Sequence, residues 1–348
     1  MKDILFIGPV DMAFGPGIKN TYTVECLKKE YSVNVLNTYH QKKLTNIKNL
    51  ASFIFSKKRT VIAVSSGGRA LLLPIAYFKK KLFKKYEYSI IAINGYIIQE
   101  FSTKNRIKNF LMLNSLKKAE KVFVEVEGLK KNLEEIYGVE NVIWFPNFKP
   151  DKDYVSYENT ANYNKFNNDR TLKCVFLSRV SLVKGIDIAI NAIKELIDDG
   201  VNISLDIYGP ISDEAKDIIL SIEYEKSINY VGNIPNHQVT KELSKYNLFL
   251  FPTRHKREGF PAALIDAFSA SLPVISSNIS YNKEIIVDKE NGLICEENTF
   301  EALKKSIMYF IDDSSKINII GKTNYILSQE FKMSVVFRNF MQEIIDCF

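Results

Sequence analysis

The sequence predicts two α/β domains, each built on a parallel sheet with helices on both faces. Strand-like runs recur through both halves of the 348 residues, and a segment of helical pattern follows each run. Most of these runs are continuously apolar, which is typical of strands buried on both faces of a parallel sheet. The chain is too long for one ordinary core and long enough for two domains.

Ten strands are predicted, five in each half. They cover residues 4–7, 32–36, 61–65, 90–93 and 121–126, and then 173–177, 203–207, 229–231, 248–251 and 274–276. Helical stretches such as 185–198 and 236–246 lie between them. This alternation of strand and helix indicates two doubly wound domains.

The domain boundary is expected where the pattern is interrupted. Residues 146–150 contain two prolines, and residues 151–170 are polar, rich in Asn and Tyr, and without periodicity. We therefore expect an N-terminal domain over 1–165 and a C-terminal domain over 166–330. A final helix over 331–348 is expected to pack back toward the N-terminal domain.

Composition limits the class of protein. The chain is 46% hydrophobic and 25% charged, which excludes a disordered protein. No apolar stretch approaches the roughly 20 residues that a spanning helix needs, and the first residues resemble a strand rather than a signal peptide. Four widely separated cysteines indicate a reduced, cytosolic chain without a cysteine metal site.

Charge is distributed unevenly. Residues 1–150 carry 25 Lys and Arg against 12 Asp and Glu, a net +13, whereas the remainder carries 22 against 28, a net −6. The basic residues concentrate at 79–85 and 104–121, where apolar residues accompany them. Such a surface binds anionic lipid at about 1 kcal/mol per cation, although a merely solubilising surface is the alternative. The sequence shows neither a groove-reading module nor interleaved aromatic residues that could stack on bases, so nucleic-acid binding is not expected.

A glycine-containing loop follows the first strand. Gly15 and Gly17 permit close backbone approach, and a helix from about Asn20 would direct its amide dipole at an anion. The spacing is not the dinucleotide fingerprint, because Asn20 stands where a third glycine belongs. We expect this loop to contact phosphate or substrate, with an ordinary strand-to-helix loop as the alternative.

Two cations follow a strand of the second half. Arg179 and Lys184 come after residues 173–177 and before a helix that Gly185 opens, so both belong at the carboxyl end of the sheet. Open α/β sheets bind their ligands there. The Arg fork matches phosphate oxygens and Lys supplies a compact charge, so the pair predicts a diphosphate site.

Two carboxylates flank a helix start after the strand at 248–251. Glu258 lies in a polar loop, and Asp266 is the acidic residue of an otherwise apolar helix that begins near Pro261. Helical side chains lean toward the N-terminus, which directs Asp266 at the loop. Carboxylates accept several hydrogen bonds and so can bind sugar hydroxyls. Gly259 and the backbone amides of Phe260 to Ala262 would line a helix start that can receive an anion.

At these residues the sequence resembles the retaining, family-four glycosyltransferases of the GT-B fold, in which two Rossmann-like domains face a cleft. The likeness covers nearly the whole chain and is strongest over 177–295. Glu258 and Asp266 resemble the E-x7-E motif of that family, with Asp in place of the second Glu. The resemblance implies that Glu258 contacts the donor sugar and Asp266 the ribose, while Arg179 and Lys184 bind the diphosphate.

The same resemblance assigns further positions of the donor site. Backbone at Gly209 and Pro210 and in the segment ending at Ile234 would contact the nucleotide base, and Gly15 to Gly17 would lie between donor and acceptor. The family's N-terminal histidine is missing from residues 92–96, so no general base is assigned. Catalysis would then depend on positioning and on stabilising diphosphate charge with Arg179 and Lys184.

The resemblance implies a function with defined partners. We expect transfer of a hexose from a UDP- or GDP-linked sugar to a polyprenyl-diphosphate-linked or oligosaccharide acceptor, in capsule or O-antigen synthesis. No cofactor and no metal are expected, since the Asp151 and Asp153 pair lies in the linker. The enzyme is expected in the cytoplasm, peripheral at the inner face of the membrane. A nucleotide-sugar epimerase or a catalytically idle sugar- or lipid-binding protein of this fold is the alternative.

Overall fold

The computed structural model describes residues 3–12, 15–39, 43–93, 95–163 and 171–345. The chain divides into two compact units, a first unit of Met1–Asn147 with Ser334–Phe348 and a second unit of Phe148–Met333. Each unit contains one six-stranded parallel sheet with helices between its strands. The predicted fold class, two doubly wound parallel-sheet domains, is therefore confirmed.

The first unit has the strand order β2-β1-β3-β4-β5-β6. Its elements up to residue 147 are β1 (Asp3–Gly8), α1 (Gly15–Leu27), β2 (Ser32–Asn37), α2 (Lys43–Phe55), β3 (Arg59–Ile62), α3 (Ser66–Leu82), β4 (Tyr88–Ala92), α4 (Ile97–Phe101), α5 (Arg106–Lys118), β5 (Val122–Val124), α6 (Glu127–Glu135) and β6 (Val142–Trp144). The direction of winding reverses between β1 and β3, and parallel sheets bind ligands at such a switch point.

The second unit has the order β12-β11-β10-β7-β8-β9. Its elements are α7 (Tyr157–Tyr163), β7 (Leu172–Leu177), α8 (Ile186–Asp198), β8 (Ile203–Tyr208), α9 (Lys216–Leu220), β9 (Ile228–Gly232), α10 (Val239–Leu243), β10 (Leu248–Phe251), α11 (Ala262–Ser269), β11 (Val274–Ser277), α12 (Asn282–Ile285), β12 (Gly292–Cys295), α13 (Phe300–Asp312) and α14 (Ser315–Ser328). Here the switch point lies between β7 and β10.

All ten predicted strands are present, and each sheet has one more. The additional strands are β6, which is three residues long, and β12, which begins at a glycine. Both lie at a sheet edge. Runs this short give no distinguishable period in the sequence, so pattern alone does not separate them from loops.

The two units divide after Asn147, earlier than the boundary at 165 expected from the sequence. The segment expected to be an irregular linker forms a 3₁₀ turn at Asp151–Asp153 and the helix α7. The Thr160 and Ser271 hydroxyls are 2.7 Å apart, and the rings of Tyr157 and Tyr325 are 5.2 Å apart. These contacts join α7 to the second unit.

The last described helix, α15 (Met333–Ile345), groups with the first unit from Ser334 onward. The ring of Phe340 stacks on Phe145 at 4.6 Å and lies 4.8 Å from Phe123. Lys121 Nζ donates to Glu343 Oε2 at 2.7 Å. Within the described ranges, none of the helices is both long enough and apolar enough to cross a membrane.

Candidate functional site

The loops that follow β7 and β10 meet at the switch point of the second sheet. Strands β7 and β10 are hydrogen-bonded neighbours, yet their chains leave toward opposite sides of the sheet. A crevice therefore opens outside their carboxyl ends. Arg179 and Lys184 lie on the first loop and Glu258 on the second, so the topology places these three predicted residues at one end of the sheet.

The loop after β7 is held against the end of β8. Ser178 N donates to Tyr208 O at 3.2 Å, and Val180 N donates to Pro210 O at 2.9 Å. Between them Arg179 has an exposed side chain. This is the position that a guanidinium needs in order to reach an anionic ligand.

Lys184 ends a 3₁₀ turn, Leu182–Lys184, and Gly185 then adopts φ +76°. A Cβ at Gly185 would overlap the carbonyl oxygen of Pro252. Glycine is therefore required both by the left-handed conformation and by the close approach of the β10 loop. The result is that Lys184 is brought beside that loop.

Lys184 Nζ forms an ion pair with Glu258 Oε1. The two side chains are only 20% and 12% exposed, so solvent screens the pair less than it screens a surface pair. The hydroxyl of Thr253 lies 3.4 Å from the same carboxylate oxygen. Two residues predicted to bind the donor are thus in direct contact.

Thr253 fixes the polar loop that carries Glu258. This residue is fully buried, and its carbonyl accepts hydrogen bonds from Ser277 Oγ at 2.5 Å and Asn298 Nδ2 at 3.1 Å. Ser280 Oγ donates to the Glu258 carbonyl at 2.7 Å. The glutamate therefore sits on a backbone held from β11 and from the segment after β12.

Arg254, which no sequence motif singled out, joins the two loops. Its Nη1 and Nη2 donate to the two carboxylate oxygens of Asp187 at 2.6 and 2.8 Å, and Nη1 also donates to Leu182 O at 2.9 Å. Arg254 N donates to Val183 O at 2.8 Å. The hydrogen bonds to Asp187 raise the pKa of Arg254. The one feature of the sequence that could have indicated this contact is Asp187, an acidic residue in the first turn of α8.

His255 lies next to the ion pair of Lys184 and Glu258. Burial lowers the pKa of His255 below its usual value; the charges of Lys184 and Arg257 lower it further, while Glu258 opposes the shift. His255 N donates to Thr253 Oγ1 at 3.1 Å. The imidazole is therefore expected to be uncharged at neutral pH.

Asp266 lies in the second turn of α11 and pairs with Lys149. Lys149 Nζ is 2.5 Å from Asp266 Oδ1, and the two side chains are 5% and 21% exposed. The Lys149 backbone is fixed as well, because its N–H donates to Phe331 O and its carbonyl accepts from Met333 N. In the sequence, Lys149 lies in the proline-containing segment 146–150 at the expected domain boundary, where no local pattern indicates a partner.

The two segments predicted to contact a nucleotide base are joined directly. Gly209 N donates to Gly232 O at 2.9 Å, and the Tyr230 hydroxyl donates to Gly209 O at 3.0 Å. Gly209 has φ +125°, and a Cβ there would overlap Ser178 O. Pro210 is exposed and Ile234 is half-buried just beyond β9.

Two neighbouring tyrosines lie beside this segment, and the sequence did not indicate them. The hydroxyls of Tyr208 and Tyr246 are 2.8 Å apart, Tyr208 donates to Glu242 at 3.0 Å, and Tyr246 donates to Asp206 at 2.7 Å. Burial, together with these acidic neighbours, raises the pKa of Tyr208 to about 12. Both phenols therefore remain protonated hydrogen-bond donors at neutral pH.

Gly15 and Gly17 lie in the first unit, and the helix that was expected from about Asn20 begins at Gly15. Pro16 is tolerated in this first turn because its missing N–H would have no helical partner there. Asn20 is buried, and its Nδ2 donates to Pro9 O and Ala63 O at 2.9 and 3.1 Å. The helix thus includes both glycines, with Gly15 exposed and Gly17 buried.

In the described part of the chain, no group of three or more His, Cys, Asp or Glu side chains is arranged to hold a metal ion. Asp151 and Asp153 belong to the 3₁₀ turn before α7. The three described cysteines, Cys26, Cys174 and Cys295, are free thiols.

Part of the second unit matches a known protein family. The family model described as "Glycosyl transferases group 1" matches residues 157–326. The capsular polysaccharide biosynthesis glycosyltransferase CapM of Staphylococcus aureus is 29% identical over 53% of this chain and 47% of its own length. The putative colanic acid biosynthesis glycosyltransferase WcaL of Salmonella typhimurium is 27% identical over 48% of this chain and 43% of its own length.

The chain thus spans less than half the length of these curated relatives. Among solved structures, Anabaena Alr3699/HepE in complex with UDP superposes with a TM-score of 0.75 at 13% identity, covering 99% of this chain and 100% of that one. This likeness confirms the predicted fold. Residues 157–326, which carry Arg179, Lys184, Glu258 and Asp266, thus match the glycosyl transferases group 1 family model.

Proposed function

We propose that this protein is a retaining glycosyltransferase of bacterial surface polysaccharide synthesis. It transfers a hexose from a nucleotide diphosphate sugar to a lipid-linked or oligosaccharide acceptor. The observation that carries the proposal is the pairing of Lys184 with Glu258 at the switch point of the second sheet. The relatives support it, because CapM and WcaL are named for capsule and colanic acid biosynthesis.

Arg179 and Lys184 stabilise the diphosphate in this proposal. Both are on the loop after β7, where the exposed guanidinium forms a fork and the ammonium acts as a point charge. The leaving diphosphate gains charge as the sugar bond breaks, and fixed cations lower the barrier to that step. In this proposal these two cationic side chains stabilise the negative charge of the leaving diphosphate, and the reaction uses no cofactor and no metal.

Glu258 binds the donor sugar. Its carboxylate has further acceptor capacity beyond Lys184, since an ionised carboxylate accepts about four hydrogen bonds. When the diphosphate arrives, Lys184 bridges it to Glu258 and so orients the sugar relative to the leaving group. Ala262, the first residue of α11, and the preceding Gly259, Phe260 and Pro261 line the same side of the donor.

The nucleoside half of the donor is assigned to the remaining residues. Asp266 binds the ribose, with Lys149 fixing its carboxylate. Backbone at Gly209, Pro210 and Ile234 contacts the base. The nucleotide of the donor is UDP or GDP in this proposal. A UDP complex of a protein with the same fold favours UDP as the first nucleotide to test.

The acceptor is assigned to the first unit and the donor to the second. Gly15 and Gly17, at the start of α1, lie between the two substrates in this assignment. A nucleotide-sugar epimerase and a catalytically idle sugar- or lipid-binding protein of this fold are the alternatives. The reported relatives favour the transferase, because both are named as glycosyltransferases.

The first unit is also proposed to rest on the inner face of the cytoplasmic membrane. Leu71, Phe78 and Leu82 share one face of α3 and are 52%, 50% and 76% exposed, and we call these three residues the α3 stripe. Exposed Lys81 and Lys84 adjoin its end. An exposed apolar stripe beside cations binds an anionic bilayer both by burial and by charge.

Not every lysine of the 79–85 run contributes to that surface. Lys79 is 5% exposed, and its Nζ donates to Phe53 O at 2.6 Å and Ser56 O at 2.9 Å. Lys80 pairs with Glu87. The cations available to lipid in this run are therefore Lys81, Lys84 and Lys85.

A thermal-shift panel with UDP, GDP and their hexose conjugates tests the donor site. Ligand binding raises stability by RT ln(1 + [L]/Kd), about 2.7 kcal/mol at a hundredfold excess over Kd. We expect the melting temperature to rise with either the UDP or the GDP ligands. This rise should be lost in Lys184→Ala and kept in the exposed control Lys226→Ala. No shift from folded wild-type protein with any of these nucleotides would contradict the proposed function.

Transfer itself is tested with the nucleotide sugar that gives a shift and a prenyl-diphosphate-linked sugar acceptor. Glu258→Ala is expected to abolish transfer without changing the fold, and Glu290→Ala is the exposed control. Full activity of Glu258→Ala would contradict the assigned role.

Membrane binding is tested by cosedimentation with anionic vesicles. We expect the protein to sediment with the vesicles and a Lys84→Glu, Lys85→Glu variant to lose this binding.

A further inference from the structure

A cavity of about 730 Å³ opens at the carboxyl ends of β1 to β4 in the first unit. Ile7 and Pro9 reach it from β1, Val64 and Ser65 from β3, and Ile93 from β4. It therefore lies at the switch point of the first sheet, where doubly wound domains bind ligands. The donor site described above belongs to the second unit and uses none of these residues.

The lining of this cavity is mostly hydrocarbon. Side chains of α2 and α3, among them Leu50, Phe53 and Leu72, complete the wall that the strand ends begin. The polar lining residues are Thr38, Tyr39, Asn49 and Ser65, and the described lining includes no Lys, Arg, His, Asp or Glu. A diphosphate or carboxylate would find no counter-charge among these described residues, so the lining that they form suits an uncharged, apolar ligand.

One of the polar groups already has a partner. Asn49 Nδ2 donates to Asn37 O at 3.2 Å. Asn37 Oδ1 in turn accepts from Val10 N and Tyr39 N at 3.0 and 2.9 Å. This network closes the loops around the cavity and leaves Asn49 with less capacity to bind a polar ligand, which again favours hydrocarbon.

The mouth of the cavity lies on the surface between α2 and α3. Ile47 and Leu71 both line the cavity, and they are 55% and 52% exposed. Leu71 is also the first residue of the α3 stripe. An apolar path therefore continues from the proposed membrane-binding surface into the cavity.

We infer that the cavity receives the prenyl chain of a lipid-linked acceptor. This inference rests on the proposed function, whose acceptor was left as either lipid-linked or an oligosaccharide, and it selects the lipid-linked class. Three observations support this occupant: the apolar lining, a volume within the roughly 300–1,000 Å³ range of ligand sites, and the continuity of Leu71 with a stripe bordered by lysines. A free oligosaccharide would find few partners for its hydroxyls there, since only four of the described lining residues carry polar side chains.

The test uses farnesol, a short uncharged prenyl alcohol, and isothermal titration calorimetry on the full chain. Leu71→Glu places a charge at the mouth, where the side chain is half exposed and the fold tolerates it. Leu82→Glu is the matched control, because it makes the same change on the same face of α3 outside the cavity. We expect wild type and Leu82→Glu to bind farnesol equally and Leu71→Glu to bind about tenfold more weakly.

Two further readouts separate the outcomes. The nucleotide-induced thermal shift is expected to be the same in all three proteins, and Leu71→Glu is expected to raise KM for a prenyl-linked acceptor but not for the nucleotide sugar. Wild-type protein that binds nucleotide but not farnesol overturns the inference and leaves the proposed function standing. Equal farnesol affinity of the two variants, or tighter binding of 1-dodecanol than of farnesol, also overturns it. A fourth outcome is farnesol binding that depends on Leu71 in a protein whose melting temperature no nucleotide raises. It would support prenyl binding in the cavity and contradict the proposed function.

Discussion

Lys149 Nζ lies 2.5 Å from Asp266 Oδ1, so the carboxylate that replaces the second glutamate of the E-x7-E motif has a nearly buried cation as its partner. An aspartate is one methylene shorter than a glutamate and has a smaller reach. Lys149 compensates by fixing the position of one carboxylate oxygen. In the proposed donor complex, the other oxygen, Oδ2, accepts hydrogen bonds from the ribose hydroxyls.

Removing Lys149 is expected to weaken both stability and donor binding. Lys149→Met leaves Asp266 without its cation, and because Asp266 is partly exposed we expect a loss of about 2 kcal/mol, less than for a fully buried pair. KM for the nucleotide sugar should rise while kcat changes little. Urea unfolding and transfer kinetics measure both, with exposed Lys152→Met as the control. A double-mutant cycle with Asp266→Asn should give a coupling energy above about 0.5 kcal/mol, and strict additivity would contradict the pairing.

Arg254 is expected to matter more for transfer than for stability. Its bidentate contact with Asp187 is partly exposed, so we expect a stability loss of no more than about 1 kcal/mol in Arg254→Ala. Loosening the two loops should displace Lys184 from Glu258 and lower kcat/KM about tenfold. Arg254→Lys should rescue this only in part, because a lysine cannot make the forked contact. Complete rescue by lysine would show that charge alone is sufficient.

Gly185 is expected to be intolerant of a side chain. Gly185→Ala combines the left-handed φ with overlap against Pro252, and the loss should exceed about 2 kcal/mol. Gly200→Ala is a matched control, since Gly200 has a similar φ of +82° but open space around a Cβ. It should cost about 1 kcal/mol. The free energy of unfolding of both variants, measured in urea, gives the comparison, and equal losses would contradict the role of Pro252.

Lys79 is expected to make stability depend on alkaline pH. Burial lowers the pKa of Lys79 to about 8 from its ordinary value of 10.5. Between these values the unfolded chain binds the proton that the folded chain has released, so the free energy of unfolding rises with pH. The slope contributed by this one group is at most about 1.4 kcal/mol per pH unit. Lys79→Met removes the titration, and wild type should gain stability relative to it between pH 8 and pH 10; a constant difference would contradict the shift.

Much of the fold was predictable because it is encoded locally. Continuous apolar runs identified ten of the strands, and their alternation with helices gave the doubly wound class. Glu258, Arg179 and Lys184 were found in the same way, since polar residues directly after a buried strand lie at the carboxyl edge of its sheet. The edge strands β6 and β12 were missed because three or four residues do not establish a period.

The sequence by itself determined the two sheets, the loops that carry the candidate site and the resemblance to a family, because each of these depends on neighbours in the chain. Only the tertiary structure decided which side chains are partners. Lys149 and Asp266 are separated by 117 positions and Arg254 and Asp187 by 67, and the apolar cavity is assembled from strand ends and helices of four separate segments. Burial removes water from such groups and so selects their partners, and burial is a property of the packed chain rather than of any local pattern.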